Sequence, residues 1–412
     1  MTEKIKFRFL GGAGEVGRLG CVLEMRGKKL LLDYGFLPSK PPLYPEEAPP
    51  CDAAFISHAH LDHSGMMPWV SSHYDTPVFA TSLTGTVAEL LLNDSVNIAR
   101  NEGYPEYYTQ DDVEYLIENL RILNFKTKKN FDDILVRTYR AGHVPGATMY
   151  EFVTDRSVLF TGDINTKTTD LTEGAMPVEC DVLFIESTYA GREHPDRTET
   201  AKKFVDKVKD AVKKGGQVLL PCFAVGRTQD VLMMLMDQGL DIWLDGMGKT
   251  VSEYYLQQPA FLSDPKKLEK ALSQVKQVYS RKGFEKALDA EVIVTTSGML
   301  DGGPILNYIA QKYNDPKTSV FLTGYQVQGT NGRLLMDMGM IEIAGHMQKV
   351  ECKVEFFDFS AHAGHSELVE FIRKSNPQHV ILMHGDNRTP LAEELKKDFH
   401  VVLPETNRVY EI

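Results

Sequence analysis

His58-Ala59-His60-Leu61-Asp62-His63 sets four residues of metal-ligand type within six positions. Two imidazoles one residue apart project to the same side of an extended segment, and Asp62 and His63 follow on a turn that leads into a helix. One short loop can therefore feed two metals. The apolar run from Ala53 to Ile56 supplies the strand ahead of the loop, the context such a motif needs. A lone histidine is most often structural, but a cluster this dense has no bland explanation as a solvated turn.

Working outward, three further groups complete a ligand set by type. They are His143 in Ala141-Gly142-His143-Val144-Pro145-Gly146-Ala147, Asp163 in Phe160-Thr161-Gly162-Asp163, and His384 in Met383-His384-Gly385. Each follows a short apolar run, and a strand end that sets one polar side chain beside glycines is how a site is assembled at the rim of a sheet. The five cysteines, at 21, 51, 180, 222 and 352, form no Cys-x-x-Cys pair, so neither a thiolate site nor a disulfide framework is suggested. Nitrogen and carboxylate donors suit zinc, and manganese is compatible with the same ligand list.

At 412 residues the chain favours two domains, or one with a large insertion. The 42% hydrophobic and 25% charged composition is that of a globular protein, and no stretch approaches the roughly 18 uninterrupted apolar residues of a membrane helix. The start, Met1-Thr2-Glu3-Lys4-Ile5-Lys6, lacks the apolar centre of a signal peptide. An intracellular, cytoplasmic protein with no membrane partner is expected. The net charge of -12 argues against a protein that coats nucleic acid through its overall field, though a local basic groove remains compatible with a nuclease. The first half reads as strands at Lys6 to Leu10, Cys21 to Met25, Lys29 to Leu32 and Ala53 to Ile56 between Gly- and Pro-rich turns. From Pro195 the texture changes. Ala201, Phe204, Val205, Val208, Ala211 and Val212 recur at helical spacing and stop at Gly215-Gly216, with strands predicted at Gln217 to Leu220, Ile242 to Leu244, Val292 to Thr295 and Val320 to Leu322. Val354 to Asp358, a helix near Ser366 to Lys374 and His379 to Met383 return to the style of the first half.

This combination resembles the metallo-β-lactamase superfamily and, more narrowly, its β-CASP branch of nucleic-acid nucleases. The resemblance covers nearly the whole chain and implies an α/β fold. An αββα sandwich formed by residues 1–190 and 355–412 would carry an inserted α/β β-CASP domain at 191–354. It assigns His58, His60 and His143 to one zinc and Asp62, His63 and His384 to a second, with Asp163 as the bridge, hence two zinc ions per chain. It also implies a catalytic set of Asp62, Asp33, Glu186 and His362. Asp33 in Leu32-Asp33-Tyr34-Gly35 would orient the ligand loop, and Glu186 in Ile185-Glu186-Ser187-Thr188-Tyr189 would partner His362 in Phe359-Ser360-Ala361-His362-Ala363-Gly364 as general acid.

The family's DNA-repair members lack a histidine at the place of His384, which tilts the implied substrate to single-stranded RNA. The segment between Glu186 and His362 is similar to the cleavage-and-polyadenylation-factor side of the family, through Phe223-Ala224-Val225-Gly226-Arg227, Ser297-Gly298-Met299-Leu300-Asp301-Gly302-Gly303-Pro304 and Gly324-Tyr325-Gln326-Val327-Gln328-Gly329-Thr330-Asn331-Gly332-Arg333. Glycine-rich turns expose backbone N–H groups to phosphate oxygens, so Ser297, Gly298, Arg227 and Arg333 are the expected RNA contacts. The chain opens almost at once on the hydrolase pattern, so the KH modules of one archaeal group are not expected; a homodimer is left open. Two rivals stand beside the metal-dependent ribonuclease: a small-molecule hydrolase of the same superfamily, which has no need of the insertion, and an inactive scaffold, which has no reason to keep Asp163 and His384 together.

Overall fold

The computed structural model describes residues 4–412; residues 1–3, where the segment read as lacking a signal-peptide core begins, lie outside them. The chain divides into two compact units, Met1–Glu193 with Ala361–Ile412, and His194–Ser360.

The first unit is built on two seven-stranded sheets. In one, Val409–Glu411, Lys6–Gly11, Gly20–Met25 and Lys28–Tyr34 run antiparallel, and Ala53–Phe55, Val78–Ala80 and Arg121–Ile122 continue in parallel. In the other, Lys128–Phe131, Ile134–Arg140, Thr148–Val153 and Ser157–Phe160 are antiparallel, and Val182–Glu186, His379–Met383 and His400–Val402 follow in parallel. The inner faces meet in one apolar cluster containing Phe7, Phe9, Leu23, Leu30, Phe55, Phe79, Phe152, Phe160, Phe184 and Ile381. Phe55 meets Phe152, and Phe7 meets Phe184, each edge to face at 5.0 Å. Such rings bind the sheets through burial plus about 0.5–1.5 kcal/mol per pair. Leu30-Leu31-Leu32 is buried on both faces, which is why this strand reads as an unbroken apolar run and not as an alternation.

The second unit holds a six-stranded sheet in the order Lys276–Gln277, Ile242–Asp245, Val292–Thr295, Val218–Pro221, Ser319–Leu322, Lys353–Phe356, every pair parallel. Helices connect its strands. The first, Arg197–Lys213, is capped by Asp196 and buries Phe204 and Val208. The expected helix and strands from Pro195 onward are all present within a few residues of their predicted bounds. Lys353–Phe356, expected to open the C-terminal part of the sandwich, instead pairs with Ser319–Leu322 at the edge of the second unit's sheet, and that unit runs to Ser360. Among the described residues, no helix is long and apolar enough to cross a membrane.

Candidate metal centre

Every candidate ligand lies at or just beyond the C-terminal end of a strand in the first unit. Asp33 belongs to Lys28–Tyr34, His58 follows Ala53–Phe55, and His143 follows Ile134–Arg140. Asp163 follows Ser157–Phe160, Glu186 ends Val182–Glu186, and His384 follows His379–Met383. Open α/β sheets bind ligands at this end. The His58–His63 loop is clamped to it: the Asp62 carbonyl accepts from the Leu19 amide at 2.8 Å and the Leu61 carbonyl from the Phe36 amide at 3.0 Å. A side chain at Gly35 would stand 2.0 Å from the Asp62 carbonyl carbon, so the close approach requires glycine.

Three imidazole nitrogens converge. His58 Nε2 lies 3.0 Å and His143 Nε2 3.2 Å from His60 Nδ1. The far nitrogens of two of these rings are engaged: His58 Nδ1 is 3.0 Å from Ser57 Oγ, and His143 Nδ1 donates to the Ala361 carbonyl at 2.9 Å. Three inward nitrogens therefore face one another with too few protons to pair them. Beside them, Asp62, His63 and His384 form a second cluster of donor atoms, and Asp163 joins His58 and His63 in a third. His63 Nδ1 is 2.8 Å from Asp33 Oδ2, which turns Nε2 inward. His63 Nε2 and Asp163 Oδ1 are buried without a hydrogen-bond partner. Yet Nε2 lies 3.3 Å from Asp163 Oδ2, and Oδ1 lies 3.0 Å from His384 Nδ1. Close atoms that are not aligned on each other are what lone pairs aimed at a shared cation produce. Buried nitrogen and carboxylate donors with no thiolate are a zinc-type set, and the residues fit such ions.

The electrostatics split the cluster. Burial pulls His58 and His143 well below the ordinary imidazole range and lowers His60. Burial would lower His384 too, but Asp163 and Asp62 outweigh it and raise the ring from 6.5 to about 10. His63 is raised well above its usual value, where burial is outweighed by Asp163, Asp62 and Asp33. Asp163, despite burial, is held well below the carboxylate range by His384 and His63.

His362 stands against this cluster. Its ring centroid is 4.6 Å from that of His143, and Nδ1 is 2.9 and 3.0 Å from the two oxygens of Glu186. That carboxylate is fully buried and also accepts the Ile164 amide at 2.8 Å. Burial lowers the His362 ring, but Glu186 and Asp163 raise it above its usual value. A ring nitrogen of His362 also comes within 4.8 Å of donor atoms of His143 and Asp163.

The expected RNA contacts all belong to the second unit. Arg227 is buried at the start of helix Arg227–Leu235, paired with Asp230 at 3.0 Å and donating to the Phe359 carbonyl. A phosphate would have to replace one of those partners. Ser297 Oγ is buried with no hydrogen-bond partner, Gly298 packs against Phe223, and Arg333 is half-buried with its Nε 2.8 Å from Asp337. The residues that sequence reasoning passed over are those that stand against the ligands: Ser57, the Ala361 carbonyl and the Gly17 amide, whose nitrogen is 3.0 Å from His384 Nε2. Only Ser57 leaves a trace in sequence, as the hydroxyl residue directly before His58.

Comparison with known families matches residues 22–215 to the metallo-beta-lactamase superfamily, 228–335 to the Beta-Casp domain and 347–404 to the Zn-dependent metallo-hydrolase RNA specificity domain. "Probable RNase MJ4" of Methanocaldococcus jannaschii is 38% identical over 92% of this chain and 92% of its own. "RNase aCSPSF2" of Saccharolobus solfataricus is 33% identical over 97% and 84%. "Cleavage and polyadenylation specificity factor 73" of Drosophila melanogaster is 29% identical over 93% and 60%. A solved structure of a protein of unknown function from Enterococcus faecalis V583 shares the fold at TM-score 0.61 and 14% identity, covering 99% of this chain and 100% of that one. With three family domains in register and a relative this similar over nearly its full length, the chain belongs to the β-CASP family of the metallo-β-lactamase superfamily.

Proposed function

We propose that the protein is a two-zinc ribonuclease that hydrolyses phosphodiester bonds of single-stranded RNA during RNA processing or decay. The observation that carries this reading is the convergence of His58, His60 and His143 in one cluster of donor atoms and of Asp62, His63 and His384 in another, with Asp163 close to His58 and His63. The first three would hold one ion and the second three the other, with Asp163 between. Such ions, when bound, supply Lewis acidity that lowers the pKa of a water and offsets charge growing on phosphorus.

The chain's own groups do the rest. Asp33 holds His63 and, through Ser57, the start of the ligand loop. His362, kept in place and in its protonated form by Glu186, gives a proton to the departing 3'-oxygen, which leaves poorly as an alkoxide. The products are a 5'-phosphate and a 3'-hydroxyl. Arg333 and the Ser297-Gly298 turn are the proposed phosphate contacts, and the relatives named as RNases support RNA as the substrate. The cytoplasm is the proposed place of action.

The test supplies the zinc-loaded protein with RNAs labelled at either end and bearing 5'-monophosphate, triphosphate or hydroxyl termini. Metal-dependent cleavage with 5'-phosphate products is expected. Lack of cleavage across the three substrates by protein carrying two zincs would overturn the proposal.

A further inference from the structure

Ser57 lies directly before the ligand loop, is 1% exposed, and contacts two parts of the centre at once. Its amide donates to Asp33 Oδ1 at 2.7 Å, and its hydroxyl lies 2.7 Å from Asp33 Oδ2 and 3.0 Å from His58 Nδ1. The direction of each hydrogen bond follows from what each group can give. An Asp33 carboxylate has no proton to donate, so the hydroxyl must give its hydrogen to Oδ2. Oγ then has only lone pairs left for His58, and His58 Nδ1 must carry the ring proton. Nε2 is left with its lone pair, and this is the nitrogen that faces His60 and His143.

The same carboxylate oxygen is 2.8 Å from His63 Nδ1. Asp33 therefore reaches the two clusters by different routes, directly to His63 and through one hydroxyl to His58. The strained left-handed backbone of Asp33, at φ 53°, is consistent with a residue held in place for such a task. The approach of Gly162 closes the arrangement: a side chain there would stand 2.5 Å from both the Cβ and the Oγ of Ser57. The residue next to Asp163 thus leaves room for the Ser57 side chain only because it is glycine.

We infer that Ser57 is a positioning residue that fixes the tautomer and ring orientation of His58, and that through it Asp33 governs the His58–His60–His143 half of the centre separately from its direct hold on His63. The inference rests on the two-metal reading. Removing the hydroxyl leaves the rest of the Ser57 backbone anchored, because its amide remains on Asp33 and its carbonyl still accepts from the Thr148 amide at 2.8 Å. The Asp33–His63 contact also remains. His58 loses its partner and Asp33 Oδ2 loses one donor while keeping His63, and loss of a partner of the kind His58 loses costs about 10–100-fold in metal affinity.

The experiment is zinc and cobalt binding to purified wild type and Ser57→Ala in competition with a chelator, with cobalt absorption spectra and thermal melting of the metal-free proteins. Wild type is expected to hold two equivalents. Ser57→Ala should keep one at wild-type affinity, bind the other about 10–100-fold more weakly with an altered cobalt spectrum, and melt as wild type does when metal-free. Ser57→Cys, which keeps a weaker donor and acceptor atom, should fall between and carries the test if the alanine variant does not fold. In an Asp33→Asn background, Ser57→Ala should cost less than in wild type, because the acceptor that fixes the hydroxyl is altered. Equal affinity for both equivalents in wild type and Ser57→Ala overturns the inference while leaving the two-metal reading intact. Wild type that binds fewer than two equivalents overturns both.

Discussion

Three imidazoles make up one half of the centre, and two of them turn their outer nitrogens to neutral oxygens, Ser57 Oγ and the Ala361 carbonyl. The other half mixes His63 and His384 with Asp62, and His63 turns its outer nitrogen to the carboxylate of Asp33. Burial keeps the first set low in proton affinity, whereas carboxylates raise His63 and His384. A metal ligand must be unprotonated. The first half is therefore ready for a cation near neutrality, and the second must exchange protons for it. Neighbouring sites built from the same residue type are thus expected to answer to pH differently, because burial dominates at one and carboxylates, Asp163 and Asp62 foremost, at the other.

The largest effect should come from removing Asp163, which the proposed reading sets between the halves. Asp163→Ala is expected to lose zinc from both and to cleave RNA no faster than metal-stripped wild type, read by elemental analysis beside end-labelled cleavage. Retention of both metals would break the comparison at its centre.

His362 lies on the three-imidazole side. His362→Ala should keep both zincs and cleave about a hundred- to ten-thousand-fold more slowly, and an RNA whose scissile 3'-oxygen is replaced by sulfur should narrow that gap. Loss of one zinc instead would make His362 a fourth imidazole of that half.

Calorimetric zinc titrations in buffers of different ionisation enthalpy near pH 7 should separate the halves by proton release. His63 and His384, with pKa values above 6.5, hold protons that the metal displaces, so affinity at that half should fall about tenfold per pH unit for each proton displaced as pH drops. His58, His60 and His143, with values below 6.5, are already neutral, so their half should show little release. Equal release by both would remove the distinction.

The smallest effect expected is at Gly162, with φ 56° and Ser57 in the way of a side chain. Gly162→Ala should cost about 1–2 kcal/mol from the left-handed backbone alone, read by urea denaturation. Because it displaces Ser57, it should also weaken the three-imidazole half first.

The ligand types were readable because four of them crowd into His58–His63 and the other three stand where an apolar run meets a glycine, and such runs are strand ends. His143, Asp163 and His384 could thus be added to the dense His58–His63 cluster, and the inserted helix and strands followed from spacing. What aims the ligands was not readable. A backbone carbonyl such as that of Ala361 has no residue signature, and the Ser57 hydroxyl matters only because Asp33, 24 positions earlier, folds against it. Arg227 stands in a glycine-rich motif that suggests an exposed phosphate contact, yet its charge is met by Asp230 inside the fold. Sequence carries residue type and spacing, but not which side of a turn a guanidinium occupies.

The order in which the centre's parts are strung along the chain has a consequence for biosynthesis. His58 to His63 emerge early, His362 and His384 only after the whole second unit, and strand Lys6–Gly11 finds its partner Val409–Glu411 later still. A nascent chain thus carries six of the seven candidate ligands by Asp163, but lacks His362 and His384 until the second unit has been made. On the proposed reading, cleavage must wait until the segment from Ala361 onward has folded back into the first unit.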